Sequence, residues 1–168
     1  MSDYLLPAEL VDKAREVVEA NRAAGRRVAV AESCTGGLVS AAITEIPGSS
    51  EMFESGFVTY SNAAKVAELN ICQDVVETFG AVSIATAWAM AQGALESSGA
   101  DVAVAITGIA GPDGGTPLKP VGTVVFARAE RNAGSDAIVA DQKMFDASGG
   151  RSGVRLQATL CALDLLLP

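Results

Sequence analysis

Histidine is absent from all 168 residues. That absence removes the Ser-His-Asp and Cys-His arrangements, so a serine or cysteine nucleophile here would need lysine, tyrosine or a carboxylate as its base. Cysteine is sparse: Cys34, Cys72 and Cys161 are odd in number, widely spaced and without a C-x-x-C pair. A disulfide framework and a zinc site are both unexpected, and reduced thiols in a cytoplasm are the plain reading. Positive charge is short as well, with 12 Lys and Arg against 20 Asp and Glu and a formal net charge of −8. Nucleic-acid affinity rests on basic patches, so neither a polynucleotide nor an anionic membrane is an expected partner. A local Arg/Lys cluster with backbone donors can still hold an anionic small molecule against the global sign. No apolar run approaches the ~18 residues of a transmembrane helix. Residues 1–7 lack the basic n-region and apolar core of a secretory signal, so none is expected.

What is present suits one compact domain spanning residues 1–168, 49% hydrophobic and 19% charged. Alanine and glycine supply much of the apolar fraction, which favours close packing of helices on a sheet. Leu10, Val11, Ala14, Val17 and Val18 recur at helical spacing within residues 7–24, between Pro7 as a start and Gly25 as a stop. Residues 27–31 read as a strand, 35–46 as a helix ended by Pro47-Gly48, and 57–60 as a short strand. Ser61-Asn62 can cap a helix over 63–69, another short helix covers 73–79, and Ser83 caps a longer one over 84–98. The unbroken apolar run 102–106 marks a strand buried on both faces. Residues 107–120 are too rich in glycine and proline for regular structure. A strand over 121–129 is followed by a turn at Asn132-Ala133-Gly134 and a partner strand within 135–145. An amphipathic helix over 151–167 closes the chain.

Alternating strands and helices predict an α/β fold, a three-layer α/β/α sandwich on a mixed, mostly parallel sheet. Ligands of such sheets sit beyond the C-terminal ends of the parallel strands. Three runs end there in polar residues: Ser33 after Ala31, Tyr60-Ser61-Asn62 after Val58, and Thr107 after Ile106.

Each element of that site also has a plainer reading. Ser33, with Thr35, Gly36 and Gly37 after it, sits on a strand-to-helix turn whose first free N–H groups form an anion or oxyanion site. Serine there is more often a cap than a nucleophile, since capping alone stabilises by ~1 kcal/mol. Thr35 is equally able to cap, which would leave the Ser33 hydroxyl free. Glu32 reads either as orienting a neighbour or as solvated. Lys65 is by default a surface lysine; turned inward and desolvated, it becomes a neutral amine able to take a serine proton. Tyr60 could relay that proton, hold substrate or simply pack. The loop Thr107-Gly108-Ile109-Ala110-Gly111-Pro112-Asp113-Gly114-Gly115 carries four glycines in nine residues, allowing backbone to approach a ligand closely. Arg151 and Arg155 share one face of the last helix, suiting phosphate or carboxylate, or else salt bridges to the many acidic residues. Cys34 reads as a small buried neighbour of Ser33.

In combination these segments carry a resemblance. Ala31-Glu32-Ser33-Cys34-Thr35-Gly36-Gly37, Gly56-Phe57-Val58-Thr59-Tyr60-Ser61-Asn62-Ala63-Ala64-Lys65, Gly80-Ala81-Val82-Ser83, the 107–115 loop and Lys119-Pro120-Val121-Gly122-Thr123-Val124 occur in that order. Together they closely resemble the CinA C-terminal domain family, over about residues 8–167. The resemblance implies a three-layer sandwich and hydrolysis of the carboxamide of nicotinamide mononucleotide to nicotinate mononucleotide and ammonia. It implies Ser33 as nucleophile, Tyr60, Lys65 and Thr107 as its active-site companions, and no metal or organic cofactor. The implied partner is a small nucleotide substrate; the turn, the loop and the last helix themselves offer Thr35, Gly36, Gly37, Gly108, Gly111, Gly114, Arg151 and Arg155 as candidate binding residues. Self-association is left open. Some relatives carry a molybdopterin-binding-like domain before this one, and this chain is expected to begin too late to contain it. A non-catalytic nucleotide-binding or competence-associated module, or an amidase for another small carboxamide, are the competing expectations.

Overall fold

The structure, a computed structural model, describes residues 3–168. Met1 and Ser2, part of the stretch expected to carry no secretory signal, lie outside the described residues. Five strands form one sheet: β1 (Val28–Glu32), β2 (Phe53–Val58), β3 (Val102–Gly108), β4 (Thr123–Glu130) and β5 (Val139–Met144), in the order β2-β1-β3-β4-β5. β1 pairs parallel with β2 and β3, whereas β4 is antiparallel to both β3 and β5. The sheet is therefore mixed, and only β4 runs against the common direction. Six helices cover it: α1 (Ala8–Ala23), α2 (Leu38–Thr44), α3 (Asn62–Leu69), α4 (Gln73–Phe79), α5 (Ile84–Glu96) and α6 (Gly150–Leu165).

Strand periodicity decides which helices meet which face. Successive side chains of a strand point to opposite sides. Val28, Val30, Val102, Val104 and Ile106 therefore face one way, and pack with α1, α2 and α6. Ala29, Ala31, Ala103 and Ala105 face the other way, toward α5 with Leu69 of α3 and Val76 of α4. The result is the expected three-layer sandwich. Ser61 and Ser83 cap α3 and α5, accepting from the N–H groups of Ala64 and Thr86. Among the described residues, no helix is long and apolar enough to cross a membrane.

Several element limits differ from those expected. The second helix starts at Leu38, because Gly36 and Gly37 take positive φ (57° and 98°) and hold residues 35–37 in a turn. β2 begins four residues earlier than the 57–60 run suggests, where Phe53 meets Val28. β3 continues through Thr107 and Gly108, which were expected in a loop but pair with Val125 and Val124. A one-turn 3-10 helix, Ser135–Ala137, delays β5 to Val139.

Candidate active site

The parallel strands β1, β2 and β3 all end at the same edge of the sheet, and the polar residues following them surround one cleft. Its walls include Ser33, Cys34, Tyr60, Lys65, Thr107 and Arg151, with Ala81, Val82, Gly108 and Ala110, around about 190 Å³. Ser33 extends the β1–β3 ladder by one step, its N–H donating to the Ile106 carbonyl at 2.9 Å. Its side chain follows Ala29 and Ala31 onto the alanine face, toward α3.

From α3, Lys65 reaches Ser33. The lysine is completely buried, at 0% exposure, and its Nζ lies 3.0 Å from Ser33 Oγ. It also donates to the carbonyls of Thr59 at 2.8 Å and Tyr60 at 3.5 Å. None of the ion pairs among the described residues involves Lys65. Burial without a carboxylate partner pulls its pKa below the ordinary lysine range. A neutral amine has two N–H donors and one lone pair. With Nζ placed to donate to Ser33 Oγ and to both carbonyls, loss of one proton would keep the two carbonyl bonds and turn the lone pair toward the Ser33 hydroxyl. Cys34 is the small buried neighbour expected, with burial pushing its thiol up to about 11.

Thr107 donates its hydroxyl to the Ala81 carbonyl at 2.8 Å, which ties β3 to the segment entering α5. Tyr60 is 59% exposed at the cleft mouth. Its hydroxyl accepts from Arg151 Nη2 at 2.7 Å, and Arg151 Nη1 also donates to the Gly111 carbonyl at 2.7 Å. Lys65 touches Ser33 directly, with no Tyr60 phenol between them.

Other expected binding residues are placed elsewhere. Thr35, Gly36, Gly37, Gly111, Gly114 and Arg155 are not among the cleft walls. The N–H of Gly36 donates to the Ser33 carbonyl at 3.0 Å, and that of Gly37 to Glu32 Oε2 at 3.0 Å. Neither glycine N–H is therefore available to a ligand anion. Arg155 donates to the carbonyls of Cys34 and Thr35, both at 3.1 Å, and so clamps the turn. The loop glycines answer to their own chain. A Cβ at Gly108 would lie 2.9 Å from the Thr123 carbonyl oxygen, and one at Gly111 2.6 Å from Val121 Cγ1. Gly114 is exposed.

Two further residues contribute, one whose role was not expected and one left open between orienting a neighbour and solvation. Lys119 Nζ donates to the Val82 carbonyl at 2.6 Å, holding the glycine loop against the Ala81-Val82 wall. The other is Glu32, a fully buried carboxylate. Among the described residues no group of three or more His, Cys, Asp or Glu is placed to hold a metal ion.

A family model described as the CinA C-terminal domain matches residues 11–168. The chain belongs to the CinA C-terminal domain family. This CinA domain is 51% identical to a protein of Enterobacter agglomerans named nicotinamide-nucleotide amidohydrolase PncC, over 90% of each chain. It is 47% identical to the Escherichia coli protein of the same name, over 95% of this chain and 93% of the other. The crystal structure of the competence/damage inducible protein CihA from Agrobacterium tumefaciens superposes with a TM-score of 0.91 at 44% identity, covering 99% of this chain and 97% of that one. Some relatives are longer. A CinA-like protein of Geotalea uraniireducens is 49% identical over 86% of this chain, which spans only 33% of that protein. The first curated relatives likewise extend to about three times the matched length, this chain spanning 34% and 35% of them.

Proposed function

We propose that this CinA domain hydrolyses the carboxamide of nicotinamide mononucleotide to nicotinate mononucleotide and ammonia, with Ser33 as nucleophile and Lys65 as its base. The observation that carries this reading is the buried Lys65 amine 3.0 Å from the Ser33 hydroxyl, with no carboxylate to keep it charged. Near-full-length identity of about half to proteins named for that activity supports the substrate.

Ser33 Oγ bonds to the amide carbon while its proton passes to Lys65 Nζ. The oxyanion falls to the N–H of Cys34. The carbonyl of the Ser33–Cys34 peptide is turned inward to Gly36, and a trans peptide points its N–H the opposite way. One such donor is commonly worth ~3–4 kcal/mol in the transition state. The tetrahedral intermediate collapses, the C–N bond breaks, and Lys65 returns its proton to the departing ammonia. Water then attacks the acyl-serine, giving up a proton to Lys65. The ester C–O bond breaks, Lys65 passes that proton to Ser33 Oγ, and the acid product leaves as carboxylate, its remaining proton taken up by the released ammonia. Thr107 holds the Ala81 wall, and Tyr60 and Arg151 meet the substrate at the mouth, with Arg151 as the phosphate's cation because it lines the cleft and Arg155 does not. In this reading the chemistry uses side chains and the Cys34 backbone N–H, with no metal or organic cofactor called for, in the cytoplasm.

Ammonia release from nicotinamide mononucleotide by the purified domain tests the reading, with nicotinamide, its riboside and unrelated amides in parallel. Ser33→Ala, folded by circular dichroism, is expected to release none. Binding without turnover by the unaltered chain would leave a nucleotide-binding module, and preference for another amide would move the substrate.

A further inference from the structure

Glu32 and Ser33 are consecutive, and strand alternation sends them to opposite faces of the sheet. Ser33 goes to α3 and Lys65. Glu32 follows Val28 and Val30 to the side of α2. There its carboxylate is fully buried and accepts four hydrogen bonds. Oε2 takes the N–H groups of Gly37 at 3.0 Å and Val39 at 3.1 Å. Oε1 takes the Ser40 N–H at 2.9 Å and the Ser40 hydroxyl at 2.8 Å. The neighbouring strand is shaped to allow this: a Cβ at Gly56 would lie 2.3 Å from Ser40 Oγ.

We propose that Glu32 is the positioning residue of the nucleophile turn, a built-in anion that satisfies the start of α2 and thereby fixes the backbone from which Ser33 projects. The proposal rests on the function read above for Ser33. The physical case is a division of backbone groups. An α-helix begins with N–H groups that have no partner in the helix, and carries partial positive charge there. In many α/β proteins a ligand phosphate supplies the missing acceptor. Here the chain supplies it, with charge-assisted bonds. From α6, Arg155 takes the carbonyls of Cys34 and Thr35. The turn 33–37 is thus held at the carbonyls of Cys34 and Thr35 by a cation, and at the Gly37 N–H and the first turn of α2 by an anion. Its rotation is fixed, and the N–H of Cys34 remains outside both clamps. Glu32 touches neither substrate nor Lys65, so its effect passes through geometry alone.

The test compares Glu32→Ala and Glu32→Gln in the full chain. Three readouts are taken: kcat and KM for ammonia release, the rate of Ser33 modification by a fluorophosphonate followed by intact mass, and the thermal midpoint. Misplacing a reacting group by about 1 Å costs about a hundredfold in rate. Glu32→Ala is therefore expected to lose about that much in kcat and in Ser33 labelling, with KM within about threefold. Glu32→Gln, which keeps one acceptor oxygen, is expected between it and the unaltered protein. Should Glu32→Ala fail to fold, Glu32→Gln carries the comparison. Lower thermal midpoints with kcat and labelling unchanged in the folded variants would reduce Glu32 to a fold-stabilising cap and overturn the proposal. An unaltered chain that releases no ammonia, yet labels at Ser33 in a Glu32-dependent way, would remove the substrate assignment and keep the role of Glu32. A chain that does neither would remove both.

Discussion

β1 and β3 both alternate valine with alanine, so the two faces of one sheet are built from different volumes. Toward α1, α2 and α6 stand Val28, Val30, Val102, Val104 and Ile106; toward α5 stand Ala29, Ala31, Ala103 and Ala105. The first face supplies area: each buried valine or isoleucine contributes roughly 1.5–3 kcal/mol. The second supplies proximity. A Cβ on Gly93 of α5 would lie 2.2 Å from the Leu69 carbonyl oxygen, so α5 and the end of α3 meet backbone to backbone. Leu69 lies one helical turn beyond Lys65, on the same buried side of α3. The depth at which α3 seats therefore sets how far Lys65 extends toward Ser33. The bulky face holds the domain together, and the small-residue face brings the chemistry within hydrogen-bonding distance.

The largest test of this division is Lys65→Met. A buried ammonium or amine among alanines adds nothing to the core, so the small-residue face carries a stability cost on behalf of the proposed base. Methionine of similar length removes the base, and turnover is expected to fall by about 10²–10⁴-fold. The thermal midpoint is expected to rise by roughly 2–4 °C, the shift of about 1 kcal/mol in a domain of this size. Steady-state ammonia release and a melting curve on one preparation check both. A variant that loses activity and stability together would show Lys65 to be a structural member of that face.

The alternation itself is legible in the sequence, and so is the convergence of Ser33, Tyr60 and Thr107 beyond three strand ends. What was not legible depends on partners remote in the chain. Whether Glu32 is solvated or buried is decided by where α2 begins, and the positive φ of Gly36 and Gly37 moves that start to Leu38. Arg155 lies 121 positions from Cys34, and nothing local marks its guanidinium as a clamp. Thr107 and Gly108 look like loop residues by composition, yet they pair with Val125 and Val124 of a strand that begins fifteen residues after Gly108. Glycines read as room for a ligand are used largely as room for Val121 and the 123–124 backbone. Composition reports that space is needed, and only tertiary packing reports what fills it.

A smaller effect follows from titration of the same amine. As the proposed base, Lys65 would accept the serine proton only when neutral, so kcat/KM is expected to rise tenfold per pH unit below its lowered pKa and to level off above it. The plateau should begin below the ordinary lysine value of 10.5. Stability carries the matching sign. The folded state disfavours the proton, so between the lowered pKa and the unfolded value the unfolded chain binds more protons, and this contribution to stability rises with pH. Rate profiles and urea midpoints across that window measure the two separately. A rate rise with no companion in the Lys65→Met difference in urea midpoint would assign the rising limb to another group.

The finest comparison sets neighbouring residues of β3 against each other. Val104→Ala on the bulky face deletes two methyl groups from a fully buried site and leaves a cavity, costing about 2–3 kcal/mol. Ala105→Val on the opposite face adds the same two groups where the space is already filled, and overpacking costs a similar 1–3 kcal/mol or so. Urea denaturation should therefore place the two variants close together. Their activities should part. A cavity beside α1, α2 and α6 leaves α3 where it is, and kcat is expected within about twofold of the original, as for independent sites. Extra volume beneath α5 pushes on the helix that backs against Leu69, lengthens the 3.0 Å approach of Lys65 to Ser33, and is expected to lower kcat about tenfold, since reacting groups tolerate little misplacement. Equal kcat in the two variants, at equal stability, would mean that the alanine face seats α3 with slack, and that Lys65 is held at Ser33 by the Thr59 and Tyr60 carbonyls alone.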